Sequence, residues 1–232
     1  MTPAGPDPPL TLVELDCDGA LREAWDRVSA GSRAEFLKGA VVGGGALLGA
    51  LALAGDADAA SASDVDILNY ALTLEYLQAA FYTEAEEVGA LGPKAMRAVN
   101  VVGAVERAHV SALRSALGNA AVKRPTFNFK GVTESEQPFL KTAVAFEDLA
   151  VEAYKAQAPR LDSKGILAVA VSIHSVEARH AAWMRHLFGM LPAASAFDDA
   201  APKPKVLRIV ASTGFIVRRP AMRGRGKPRF TG

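Results

Sequence analysis

The chain has 232 residues, a length that suits one domain with appendages better than two ordinary domains. Hydrophobic residues make up 50% of the sequence and aromatic residues only 7%, and this composition, rich in alanine, favours helices over sheets. The formal net charge of +1 excludes a protein that is strongly acidic or basic throughout, and the single cysteine, Cys17, excludes an internal disulfide and a cysteine-based metal site.

The N-terminal quarter of the chain divides into two segments. Residues 1–31 are polar and rich in Pro, Asp and Gly, so we expect them to be poorly ordered. Residues 32–62 contain an uncharged stretch, 39–55, made mostly of Gly, Ala, Leu and Val. This stretch is shorter than the roughly 20 apolar residues that a spanning helix needs. A basic flank before it and small-x-small sites after it are typical of an export signal.

Residues 32–38 of the signal-like segment also resemble a twin-arginine export signal. The match includes Ser32, Arg33 and residues 36–38, whereas Ala34 stands where the second arginine belongs. An uncleaved membrane tether through 39–55 and a packed apolar helix are the alternatives. We therefore expect an exported protein or one tethered at the cell envelope, and a cytoplasmic protein if the signal does not function.

Four helices are predicted after the signal-like segment. Asp64 or Asp66 can cap the first, and Gly and Pro residues end the others. The predicted helices cover residues 64–88, 93–117, 138–157 and 164–188. Two short links and one long irregular connection, 119–137, join them, which is the connection pattern of a four-helix bundle with one crossover. The predicted fold class is therefore all-α.

The rest of the chain follows the predicted bundle domain, residues 63–190. Residues 191–216 are interpreted as a C-terminal extension. Residues 217–232 are interpreted as a disordered basic tail, because they are rich in Gly and Pro and hold six Lys or Arg and no acid. We expect no nucleic-acid partner.

Each predicted helix carries a glutamate in the middle of its apolar stripe. Steps of three and four residues trace one face of a helix. Along each of these apolar faces, a polar residue occurs near the middle. The glutamates are Glu75, Glu106, Glu147 and Glu177. Two of them are followed one turn later by a histidine, and these histidines are His109 and His180. The pattern places six metal-ligating side chains on the faces that should be buried.

The helical hairpin is repeated in the sequence. The glutamates of the first and third helices are 72 residues apart, and those of the second and fourth are 71 apart. Tyr82 follows Glu75 at the same spacing as Tyr154 follows Glu147. Because the tyrosines stay on the glutamate face, we interpret them as hydrogen-bond partners of the glutamates rather than as redox groups.

Four buried carboxylates need positive charge nearby, because burying unpaired charges is very unfavourable. No Lys or Arg lies on the four stripes. Two divalent cations would balance four carboxylates, and carboxylate and imidazole ligands suit iron or manganese. A glutamate from each of two helices and Glu-x-x-His from each of the other two is the ligand pattern of di-iron and di-manganese carboxylate bundles.

The remaining polar residues of the helices are expected to lie away from the metal site. The predicted rim or exposed residues are Gln78, Glu84, Glu86 and Glu87. The predicted surface or boundary residues are Glu152, His174 and His186. Asp148, next to Glu147, could orient one of the metal ligands.

Several motifs together resemble the ferritin-like superfamily over residues 64–190. They are "DVDILNYALTLEYLQAAFY", "VERAHVSALRSALG", "KRPTFNFKG", "FEDLAVEAY" and "SVEARHAAWMRHLFG". Within the superfamily, the chain is similar to bacterial ferritin-like domain proteins related to the desiccation-associated group. The resemblance implies two bound iron or manganese ions that react with O2 or H2O2. It also implies bridging roles for Glu106 and Glu177 among the six ligands named above.

These observations favour a dinuclear metal protein that oxidises ferrous iron or reduces peroxide. The alternative is a metal-sequestering or desiccation- and stress-protective protein without turnover. A structural bundle whose site stays empty is a third reading. The expected partners are metal ions with O2 or H2O2, and a homodimer is left open.

Overall fold

A computed structural model describes residues 60–217, which form five α-helices and two short strands. The helices are α1 (Ala62–Val88), α2 (Pro93–Leu117), α3 (Glu136–Gln157), α4 (Lys164–Leu187) and α5 (Lys203–Thr213). The strands are β1 (Thr126–Phe127) and β2 (Ile216–Val217). The predicted N-terminal region, the tether 39–55 and nearly all of the basic tail lie outside the described residues.

Helices α1 to α4 form two hairpins that pack against each other. Helix α1 contacts α2, helix α3 contacts α4, and contacts between α1 and α3 and between α2 and α4 join the hairpins. The long connection between α2 and α3 contains a 3₁₀ turn (Gly118–Ala120) and β1. The predicted all-α, ferritin-like four-helix bundle with one crossover is confirmed. Within residues 60–217, no helix is long and apolar enough to cross a membrane.

The start of α1 is fixed by Ser61 rather than by an aspartate, so the predicted cap is wrong. The Ser61 hydroxyl accepts a hydrogen bond from the backbone N–H of Asp64. Asp64 is instead buried, and its carboxylate accepts hydrogen bonds from the backbone N–H groups of Asp162 and Ser163 at 2.9 and 3.1 Å. The aspartate therefore ties α1 to the link between α3 and α4.

The C-terminal extension contains helix α5, which the sequence did not predict. Val206 and Val210 are its buried residues, and α5 packs against α3. Beyond it, β2 pairs antiparallel with β1, so that Ile216 lies opposite Phe127. The extension thus closes over α3 and ties the chain back to the crossover connection.

One end of the bundle is filled by aromatic rings around Phe81. The ring of Phe81 stacks on Phe139 at 4.8 Å between centroids. Phe146 and Phe129 meet the same ring edge-on at 5.1 and 5.4 Å. Edge and stacked contacts of this kind add to the burial of apolar surface. This end of the core is therefore tightly packed.

Replacing Phe81 by Ala should strongly destabilise the fold, because the side chain is fully buried and its loss leaves a cavity among the neighbouring rings. We expect the free energy of unfolding to fall by about 3–5 kcal/mol, measured by urea denaturation. Phe197→Ala is the matched control, since Phe197 is 85% exposed. Equal losses in the two variants would contradict the packing described here.

Candidate metal centre

The six side chains predicted as metal ligands converge in the middle of the bundle. Each of the four helices α1 to α4 contributes its mid-stripe glutamate, and α2 and α4 add a histidine one turn later. All four glutamates are 0% exposed, and His109 and His180 are 7% and 6% exposed. The structure thus places the polar residues of the stripes in one enclosed cluster, while their role as ligands stays a prediction.

The cluster divides into two groups of four residues, and in each group the ligand atoms lie within 4.8 Å of one another. The first group is Glu75, Glu106, His109 and Glu177. The second group is Glu106, Glu147, Glu177 and His180. Glu106 and Glu177 belong to both groups, so their carboxylates lie between two positions that could each hold a metal ion.

The two histidines occupy equivalent positions. From Nδ1 of His109, the distances are 3.0 Å to Glu177 Oε1 and 3.4 Å to Glu75 Oε2. From Nδ1 of His180, the matching distances of 2.9 and 3.6 Å lead to Glu106 Oε1 and Glu147 Oε2. The sequence repeat therefore corresponds to an internal twofold relation in the site.

Seven buried donor or acceptor atoms of this cluster make no hydrogen bond of normal geometry, although each histidine Nδ1 lies close to a carboxylate oxygen. They are Glu75 Oε2, both oxygens of Glu106, His109 Nδ1, Glu147 Oε2, Glu177 Oε1 and His180 Nδ1. Among residues 60–217, only the histidines pair with these carboxylates at ion-pair distance, and no Lys or Arg does. A buried polar atom left unpaired costs about 1–3 kcal/mol, so this cluster is compatible with a metal-binding site.

In two glutamates of the cluster, burial and neighbouring carboxylates disfavour the charged form. Burial, together with the charge of Glu106, raises the pKa of Glu75 to about 7. Burial and the neighbouring carboxylates also raise the pKa of Glu177 well above its usual range. Burial alone would lower the pKa of His180, but contacts with Glu106 and Glu147 raise it to about 10. The negative charges thus draw protons to the cluster, as they would draw metal cations.

Two tyrosines hold carboxylates across the hairpins. The Tyr82 hydroxyl on α1 donates a hydrogen bond to Glu147 Oε1 on α3 at 2.5 Å. The Tyr154 hydroxyl on α3 donates to Glu75 Oε1 on α1 at 2.6 Å. Burial and the adjacent carboxylates raise the pKa of both tyrosines, so both stay protonated and act as donors. In each acceptor glutamate, the second oxygen points to the cluster without a partner.

Gln78 lies in the site, although the sequence predicted a rim or exposed position for it. Its side chain is 2% exposed, and its Nε2 donates to Glu177 Oε2 at 3.4 Å. Gln78 lies three residues after Glu75, the same step that separates each glutamate from its histidine, and this step could have revealed it. The equivalent position in the second hairpin is Ala150, so Glu106 receives no such amide.

Comparison of the sequence with known protein families agrees with this architecture. The family model for the ferritin-like domain matches residues 63–190, which include all six clustered side chains. The chain belongs to the ferritin-like family. No curated protein matches the sequence. The relation to the desiccation-associated group stays a prediction.

Other polar residues of this ferritin-like protein lie outside the centre. Asp148 pairs with Arg185 at 2.9 Å, so it orients no ligand of the cluster. Glu152 lies 3.7 Å from the ammonium of a lysine on α5. His174 is partly buried and His186 is exposed, as expected for boundary and surface residues.

Removing the hydroxyl of Tyr82 or Tyr154 should weaken metal binding by about 10- to 100-fold, because each hydroxyl orients a carboxylate of the cluster. Tyr82→Phe and Tyr154→Phe are compared with the unaltered protein by titration with Mn²⁺. Tyr76→Phe is the control, since its hydroxyl contacts the backbone oxygen of Val122. Unchanged affinity in both tested variants would show that the hydroxyls do not position the carboxylates.

Proposed function

We propose that this ferritin-like protein binds two divalent ions of iron or manganese, and that the site oxidises ferrous iron or reduces peroxide. The observation that carries the proposal is the set of seven unpartnered buried atoms, which converge in two groups that share Glu106 and Glu177. Carboxylate oxygens and imidazole nitrogens are the ligands that these metals accept.

Each metal position would have one terminal carboxylate, one imidazole and two shared carboxylates. Glu75 and His109 would complete the first position, and Glu147 and His180 the second. Glu106 and Glu177 each direct one oxygen toward His109 and the other toward His180, as bridging ligands would. The donor set fits two cations better than one, because the two groups repeat the same ligand types.

The residues around the cluster prepare it for this chemistry. The tyrosine hydroxyls fix the terminal glutamates, and the Gln78 amide fixes one shared glutamate. Apolar side chains of α1 to α4 enclose the centre and limit access of water. When bound, the metal ions supply one-electron redox chemistry.

With two protons taken from the solvent, the overall reaction balances for ferrous iron as the substrate. Two ferrous ions give up one electron each. One H2O2 takes up these two electrons and two protons to form two water molecules, or one O2 takes them up with two protons to form H2O2. A buried, preorganised site lowers the reorganisation that such electron transfer requires.

Metal content tests the ligand assignment. Protein from cells grown with added iron or manganese should hold two ions per chain, measured by mass spectrometry of the elements. Glu177→Ala should lose both ions because Glu177 belongs to both groups, whereas His109→Ala removes a ligand of the first group only. His186→Ala is the control, since His186 is exposed. Two ions retained in Glu177→Ala would show that the assignment is wrong.

Turnover is tested separately by stopped-flow absorbance after ferrous iron is mixed with O2 or H2O2. We expect a ferric absorption band in the unaltered protein and in His186→Ala, and its loss in Glu177→Ala, which lacks a carboxylate shared by both groups. Two bound ions without any ferric band would instead favour metal sequestration without turnover.

A further inference from the structure

A small apolar cavity lies in the bundle at the end where α1 begins. It is bordered mainly by α1 and α3, with Leu113 of α2 and Ala170 of α4 completing the wall. The cavity volume is about 20 Å³, and only apolar atoms of the lining residues face it. A volume of roughly 10–15 Å³ on this measure corresponds to one water, so the cavity suits a molecule of very few atoms.

The cavity lies beside the metal centre, on the side of the link between α3 and α4. Its outer wall includes Ala158 and Leu161, which are partly exposed in the link between α3 and α4. Its inner wall includes Tyr154, whose hydroxyl donates to Glu75 of the cluster. The cavity therefore adjoins a side chain that holds one carboxylate of the cluster.

The internal repeat shows why this end of the bundle has space. Ile67, Leu74 and Ala153 line the cavity. Each of these residues has an equivalent in the opposite hairpin at the repeat interval of 72. The equivalents are Phe139, Phe146 and Phe81. There Phe139 and Phe146 both pack on Phe81 and fill the opposite end of the core. Smaller side chains at the same three positions leave the cavity.

We propose that this cavity binds dioxygen and delivers it to the metal centre, so that O2 rather than H2O2 is the oxidant; this inference rests on the proposed function. Dioxygen is apolar and has no hydrogen bonds to lose on entering an apolar wall. Hydrogen peroxide carries two hydroxyl groups, and burying a hydroxyl without a partner costs about 2–7 kcal/mol. The wall therefore favours O2 over peroxide and over water.

Filling the cavity tests the proposal. Ala153→Phe introduces the residue found at the equivalent position 81, and Leu74→Phe introduces the one found at position 146. Either ring should slow ferrous oxidation by O2 about tenfold or more, which corresponds to about 1.4 kcal/mol of barrier. Anaerobic oxidation by H2O2 should change less than about twofold, well below one such tenfold step. Ala196→Phe is the control, because Ala196 is exposed.

Xenon binding provides a second measurement that needs neither metal nor turnover. The full-length protein, purified without added metal, should bind xenon between α1 and α3, seen in a xenon-pressurised crystal or by ¹²⁹Xe chemical shift. Ala153→Phe or Leu74→Phe should lose this binding, and circular dichroism identifies the variant that keeps its helical content.

The outcomes separate the two proposals. An unchanged rate with O2 in a folded variant that no longer binds xenon would overturn the dioxygen route and leave the metal centre untouched. Equal slowing with O2 and H2O2 would overturn it as well, since the cavity would then not distinguish the oxidants. An unaltered protein that binds no metal would reject the proposed function, and with it the delivery of dioxygen.

Discussion

The stability of this bundle depends on whether four carboxylates can be balanced by positive charge in an apolar interior. An ionised carboxylate that leaves water for a protein interior loses several kcal/mol of hydration, and neighbours of the same sign add to this penalty. Two histidines can offset at most half of the negative charge. Within residues 60–217, the arginines that do form ion pairs serve outer acids such as Asp148 and Glu86. Divalent cations would restore the balance, and their binding would then stabilise the fold.

The duplicated hairpin explains how a short motif can supply the whole site. Tyr82 follows Glu75 by seven residues, which is about two helical turns, so both face the same side of α1. Helix α3 repeats this arrangement and runs antiparallel to α1. Each tyrosine therefore lies opposite the glutamate of the other helix, and the crosswise hydrogen bonds follow from spacing and direction alone. One motif thus provides the glutamates and the groups that hold them.

Much of this could be predicted because helical periodicity fixes which residues share a face. A polar residue that interrupts an apolar stripe is visible in the sequence, and the four bundle helices and the clustering of six side chains follow from it. Gln78 was missed because it was expected at the rim, although a step of three residues from Glu75 stays on the same face as a step of four. Helix α5 has only two buried valines, so its packing on α3, rather than its own pattern, decides its structure.

The departures from the repeat carry information that the repeated residues do not. Residues identical in both hairpins hold the cluster, whereas Gln78 and three cavity residues, Ile67, Leu74 and Ala153, have different residues at the repeat interval. A cavity weakens a fold, because the atoms around it lose dispersion contacts that a filled core would provide. The opposite end shows that three phenylalanines can fill this space in the same framework. Because phenylalanines fill the equivalent space at the other end, packing alone does not require the open end, which is what the proposed dioxygen route would need.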